Sequence, residues 1–205
     1  ERNLTSSRRE NARISSCTFT TNQISILIFI ETTKRLRSQY ISMPESADAN
    51  PTRHDSTFLV TATDASSTVL RDVESGQIYS LEDAVDADRL SIIDGTVESK
   101  PPLHVVYELT EITATRTVDI ETSIEPPTAN TKQIAANQGA GEITRKPRAG
   151  AGEIHIITVP EKNSTEAVAD ILDDKVTLCE RAARLEGNRI EIRSAPGVVA
   201  VRYMP

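Results

Sequence analysis

The sequence predicts an α+β protein: a small N-terminal β-barrel-like module followed by a C-terminal four-stranded sheet with two or three helices. Three observations carry that prediction. Between Thr57 and Thr122 five or six short strand patterns follow one another, separated by turn residues. Pro126-Pro127 then interrupts the pattern. Beyond it, apolar residues at helical spacing stand between strand-like runs.

In the first module "TFLVTAT" alternates, "TVLRDV" and "QIYSL" flank Glu74-Ser75-Gly76, and "LSIIDGTVES" precedes "LHVVYELTEIT" and "RTVDIET". In "LHVVYEL", Val105, Tyr107 and Leu109 share one face of a strand, which places Tyr107 in the core. "LEDAVDADRL" reads as a short helical turn between strands. The expected division is an extension at 1–42, a disordered polar leader at 43–56, an all-β module at 57–125 and an α+β module at 128–205.

In the second module Thr128 is placed to cap a short helix running through "ANTKQIAANQ". Strands at 142–148 and 153–160, helices at 164–173 and 175–186, and strands at 189–194 and 198–204 follow. Asn163 with Glu166 three residues on has the form of a capping box. Val168, Ile171, Leu172, Leu178, Ala182 and Leu185 keep helical spacing, Asp173-Asp174 breaks the run, and Gly187 ends it. Pro196 and Gly197 occupy the central places of a type II turn, which makes the last two strands a hairpin.

Charge is uneven along the chain. The net charge is -7, but residues 1–42 hold seven Lys/Arg against three Asp/Glu, and no Gly, Pro or Asp. From Met43 onward there are 16 basic and 27 acidic residues, with five lysines against eleven arginines. The compositional break points to translation starting at Met43, the first methionine. "SSRREN" and "ISILIFI" resemble parts of an export signal, but a polar stretch separates them, and the apolar run is far short of the roughly 20 residues that span a bilayer. Two cysteines, Cys17 and Cys179, supply neither a disulfide framework nor a metal cluster in the body, so a cytoplasmic location is expected, without membrane attachment. The acid excess suggests adaptation to concentrated salt, which screens self-repulsion.

The phrases "TFLVTATDASSTVLRDVESGQIYSL", "TVESKPPLHVVYELTEI", "AGAGEIHIITVPEKNSTEAVADIL", "RAARLEGNRIEIRS" and "GVVAVRYMP" stand in a distinctive order. Over roughly residues 57–205 the chain resembles a family of haloarchaeal proteins carried as a domain of unknown function. The resemblance implies a salt-rich archaeal cytoplasm and no particular activity.

"GAGEITRKPRAGAGEI" writes Gly-Ala-Gly-Glu-Ile twice around Arg145, Lys146 and Arg148. Neither copy fits a dinucleotide fingerprint or a P-loop, because neither leads from a strand into a helix with the required glycines or Gly-Lys-Ser/Thr. A helix exit and a hairpin loop are expected instead. Lys146 and Arg148 are placed to share an open sheet face with Arg189, Arg193 or Arg202, which would offer anions or RNA a surface. Salt weighs against that use: roughly six phosphate contacts lose about five decades of affinity over a tenfold rise in salt.

His155, Ile157 and Val159 lie on one side of a strand whose other side carries Ile154 and Ile156. Such a strand is either covered twice or meets a partner, so these three residues form a possible interface. No nucleophile elbow, metal spacing or Cys/His pair is present locally, and neither a catalytic residue nor a cofactor is assigned. The expected function is a non-catalytic interaction module acting through a protein partner or self-association. Nucleic-acid binding comes second and an enzyme with an unrecognised site third.

Overall fold

A computed structural model describes residues 51–205; the expectations for residues 1–42 and for 43–50 fall outside the described residues. Strands β1 (Arg53–Thr63), β2 (Thr68–Asp72), β3 (Ile78–Leu81), β4 (Ile92–Lys100) and β5 (Val106–Arg116) form a closed ring in the order β1-β2-β3-β5-β4. The first strand therefore begins at Arg53, inside the segment expected to be a disordered leader. Alternation drives the closure. Phe58, Val60, Leu70, Tyr79, Leu81, Ile93 and Val97 all point inward and form one buried cluster. Tyr79 meets Phe58 and Tyr107 edge-on, with ring centroids 5.6 and 4.8 Å apart. Tyr107 is half-buried against this core, as its place in the strand pattern predicts.

The ring has one weak seam. β3 and β5 run parallel and pair only through Leu81 and Tyr107, so most of β5 faces outward beyond that bridge. β5 carries register shifts opposite Asp94/Gly95 and Thr96/Val97, where Thr113 and Thr110 donate their hydroxyls to the carbonyls of Asp94 and Thr96. Such bulges twist an open edge away from strand pairing.

"LEDAVDADRL" forms no helix. Its backbone groups are taken up by the ring: Val85 N donates to Thr68 Oγ1 and Leu90 N to the Val60 carbonyl, while Val85 and Ala87 pack against the interior. Tertiary bonds here outweigh local propensity.

The second sheet contains five strands rather than the four expected: β6 (Asp119–Thr122), β7 (Ile143–Pro147), β8 (Glu153–Thr158), β9 (Arg189–Ala195) and β10 (Val198–Met204), ordered β6-β9-β10-β8-β7. The extra strand is "DIET", which the sequence reading attaches to the barrel. It runs parallel to β9, with Ile120 opposite Ile190, and buries Ile120 against the second core. Periodicity identifies a strand but not the sheet that receives it.

Helices α1 (Ala129–Ala136), α2 (Ser164–Asp173) and α3 (Lys175–Arg184) complete this part. Thr128 caps α1 by accepting from Thr131 N at 3.3 Å, and Asp174 caps α3 by accepting from Thr177 N at 3.2 Å. The capping box at Asn163 does not form: a 3₁₀ turn over Glu161–Asn163 leads into α2, and the Asn163 side chain makes no cap bond. Ser164 ties the turn down instead, donating to the Glu161 carbonyl and accepting from Gly197 N. Gly197, at φ +86, supplies the positive φ that a type II turn requires after Pro196.

α2 and α3 cover one face of the sheet, burying Ile157, Val159, Ile190, Ile192, Val199, Val201 and Tyr203 against Ala167, Ile171, Leu178 and Ala182. α1 covers part of the other face through Ala135, packed on Ile156 and Val198. A third cluster joins the two sheets. Leu59, Val73 and Ile92, on the outside of the ring, pack against Cys179 and Ala183 of α3. Arg71 meets Glu180 at 2.8 Å across this junction, and Arg184 donates to the Val73 carbonyl.

Candidate functional site

The repeated Gly-Ala-Gly-Glu-Ile resolves into two different turns. In the first copy Gly141, at φ +90, leaves the segment after α1 and donates to the Thr158 carbonyl at 2.7 Å as β7 begins. The second copy closes the β7–β8 hairpin, with Arg148 N donating to the Gly152 carbonyl at 3.0 Å. Gly152 has φ +97, and an added Cβ would collide with the Tyr203 carbonyl of the neighbouring strand. A strand, not a helix N-terminus, follows each copy, so neither builds a phosphate cradle.

The basic triplet between the copies is divided by the sheet. Arg145 pairs with His155 and lies on the face covered by α2 and α3, whereas Lys146 pairs with Ile154 and lies on the other face with Arg202. Lys146 and Pro147 are exposed on β7, an edge strand. A lysine and a proline there block edge-to-edge pairing, which accounts for much of this stretch without a ligand.

Lys146, Arg148, Arg189, Arg193 and Arg202 do share one side of the sheet, but carboxylates from the same side hold three of them. Glu191, 6% exposed, accepts from Arg193 at 2.8 Å and from Arg202. Arg193 also meets Glu125 at 2.8 Å, and Arg189 meets Glu121. Burial opposes ionisation of Glu191, but the Arg193 hydrogen bond and the Arg202 charge outweigh it and hold its carboxyl below the usual range. Arg148 bonds its own loop through the Ala151 carbonyl at 3.2 Å; burial, then the neighbouring Arg202, lowers its basicity.

On the opposite face His155 sits within a small polar group. Its Nε2 lies 2.6 Å from Glu153, whose two oxygens accept from Arg181 at 2.8 and 2.7 Å, and its ring packs on Tyr203 with centroids 4.9 Å apart. Burial lowers the His155 pKa to about 4, against the raising effect of Glu153, so the imidazole is neutral near pH 7. Burial also opposes ionisation of Glu153, but Arg181 and His155 together hold its carboxyl low. Ile157 and Val159, the other members of the expected interface, are each 4% exposed beneath the helices. The doubly apolar strand is a central strand covered on both sides, and its surface is not open to a partner.

Cys179 is buried between the sheets, and burial pushes its thiol up to about 11. It is expected to resist alkylation in the folded protein and to react fully in denaturant, which peptide mapping after iodoacetamide treatment checks; rapid native labelling at Cys179 would contradict this packing. Among the described residues no group of three or more His, Cys, Asp and Glu side chains is placed to hold a metal ion. Nor is any helix among them long and apolar enough to cross a membrane.

Among the described residues the most exposed large apolar side chain is Ile124, a single residue in the segment between β6 and α1, whereas the β4–β5 loop exposes two such residues close together. Leu103 and Val105 are 77% and 66% exposed. Val105 was expected inside with Tyr107, but β5 begins only at Val106, and the residue projects from the loop. Between the two, His104 adopts φ 54, a left-handed conformation that costs a non-glycine residue about 1–2 kcal/mol. It is held there from both ends. His104 N donates to the Lys100 carbonyl at 3.0 Å, and its Nδ1 lies 3.0 Å from Ser99 Oγ, which also accepts from Thr52 N at 2.8 Å. Lys100 in turn meets Asp83 at 3.2 Å and Glu108 at 3.6 Å. Strand alternation hides this loop in sequence; the available signal is Pro101-Pro102 directly before an apolar pair.

Comparison with known proteins adds one relationship. No curated protein and no solved structure matches the chain. The sequence profile of a family of unknown function, DUF5812, matches residues 54–194, a span that takes in the ring and reaches into β9 of the second sheet. Covering more than half of the 205 residues, the match identifies the chain as a member of the family of unknown function DUF5812.

Proposed function

We propose that the chain is a non-catalytic interaction module that acts through a protein partner, with the loop 101–105 as its docking element. The exposure of Leu103 and Val105 on a tethered loop carries this reading. Burying an apolar side chain of this size contributes about 1.5–3 kcal/mol, and a loop already fixed by Ser99 and His104 loses little further freedom on binding. A cytoplasmic, salt-rich setting fits the excess of 27 acidic over 16 basic residues from Met43 onward. Apolar anchors retain their affinity in such a setting, where exposed charges contribute to selectivity more than to affinity.

Nucleic-acid binding through Arg145, Lys146 and Arg148 draws less support. Arg189, Arg193 and Arg202, which would have to join them, are already paired with carboxylates.

The test is purification at native salt of the wild-type chain beside Leu103→Ser/Val105→Ser. The variant is expected to keep its melting temperature within about 2 °C, since both sites are exposed. It should lose a protein that cross-linking maps to residues 101–105 of the wild type. Equal retention by both chains would refute the assignment of this loop.

A further inference from the structure

The apolar loop emerges from an acidic surround, and that selects among its occupants. From Arg53 to Arg116 the ring holds five Lys/Arg against twelve Asp/Glu. The base nearest the loop, Lys100, is shared between Asp83 and Glu108, both exposed, so the rim beside Leu103 and Val105 keeps a negative balance. A second copy of the chain would bring the same rim against itself, and like charges juxtaposed across an interface are unfavourable.

We infer that the loop's occupant is a basic protein surface: an apolar socket for Leu103 and Val105, rimmed by Lys or Arg that meet Asp83 and Glu108. This rests on the docking reading above and specifies the partner's chemistry. The apolar pair supplies most of the affinity, and the rim selects the partner and speeds encounter.

The full chain is titrated with a short amphipathic peptide of leucine and lysine, and with a leucine and glutamate peptide of the same pattern. The lysine peptide is expected to bind at least about tenfold more tightly. Asp83→Lys/Glu108→Lys should weaken it about tenfold and flatten its salt dependence, while Lys100→Gln, which leaves the rim more negative, should strengthen it. Leu103→Ser/Val105→Ser should abolish binding. If that variant abolishes binding while the charge variants and the two peptides behave alike, the basic partner is overturned and the docking loop stands. If the apolar variant has no effect, both fall. Sedimentation of the chain alone gives a further check: a dimer that Leu103→Ser dissolves would make the occupant a second copy and overturn the inference.

Discussion

Glu191→Ala is expected to destabilise the protein by about 3–5 kcal/mol, enough to threaten folding of a domain of ordinary stability. Glu191 is buried and accepts from both Arg193 and Arg202, whose side chains are themselves only 16% and 23% exposed. Removing the carboxylate leaves two partly buried guanidinium groups without their shared partner, beside the lowered-basicity Arg148. Glu125 still meets Arg193, but Arg202 and Arg148 are left without a carboxylate partner, and repulsion among the three is only partly offset. Glu191→Gln keeps the shape and two polar atoms but loses the charge, so it should cost less. Denaturant unfolding with unchanged slope measures the difference. A loss under about 1 kcal/mol for Glu191→Ala would show that the three arginines do not depend on it.

Acid should weaken the fold through His155. Its folded pKa, about 4, lies below the ordinary value of 6.5, so between these values the unfolded chain binds the proton and the native state does not. Stability associated with this group is therefore complete above about pH 6.5 and is lost as pH falls towards about 4, by up to about 3 kcal/mol. Protonation would place a cation beside Arg181 and Arg145, with only Glu153 to compensate, against the ring of Tyr203. Arg181 and His155 hold the Glu153 carboxyl below the usual range, so it takes up a proton later than an ordinary carboxylate as pH falls. His155→Gln removes the titration, so its stability should be flatter between about pH 6.5 and 4 than that of the wild type. Parallel pH profiles for the two would place the acid-sensitive group elsewhere.

The helical hairpin and the last two strands are legible in the sequence because each boundary has a local cause. Asp174 caps α3, and Pro196 with Gly197 at φ +86 turns β9 into β10. β6 is not legible as part of the second sheet. Its attachment to β9 depends on Ile120 pairing with Ile190, seventy residues away, and on a parallel pairing that no turn announces. The segment 81–90 fails for a related reason, since Val85 N and Leu90 N bond β2 and β1 and only short turns form within it.

The open-face arginines illustrate how far sequence alone carries. Strand alternation places Lys146, Arg193 and Arg202 on one side, as the structure does. It also places Glu191 there, two residues from Arg193, but alternation gives no measure of burial or of who bonds whom. The exposed loop at 101–105 is not legible because Val105 fits the inward phase of β5 in sequence, whereas the turn at His104 delays the start of the strand to Val106.

The most direct test of the account puts a photo-crosslinking residue at position 105 in one full-length chain and at position 146 in another, each irradiated in its native host. The docking-loop reading predicts protein adducts from position 105 and no RNA adducts from position 146. RNA adducts at 146, with nothing captured at 105, would contradict it and return the function to the basic hairpin.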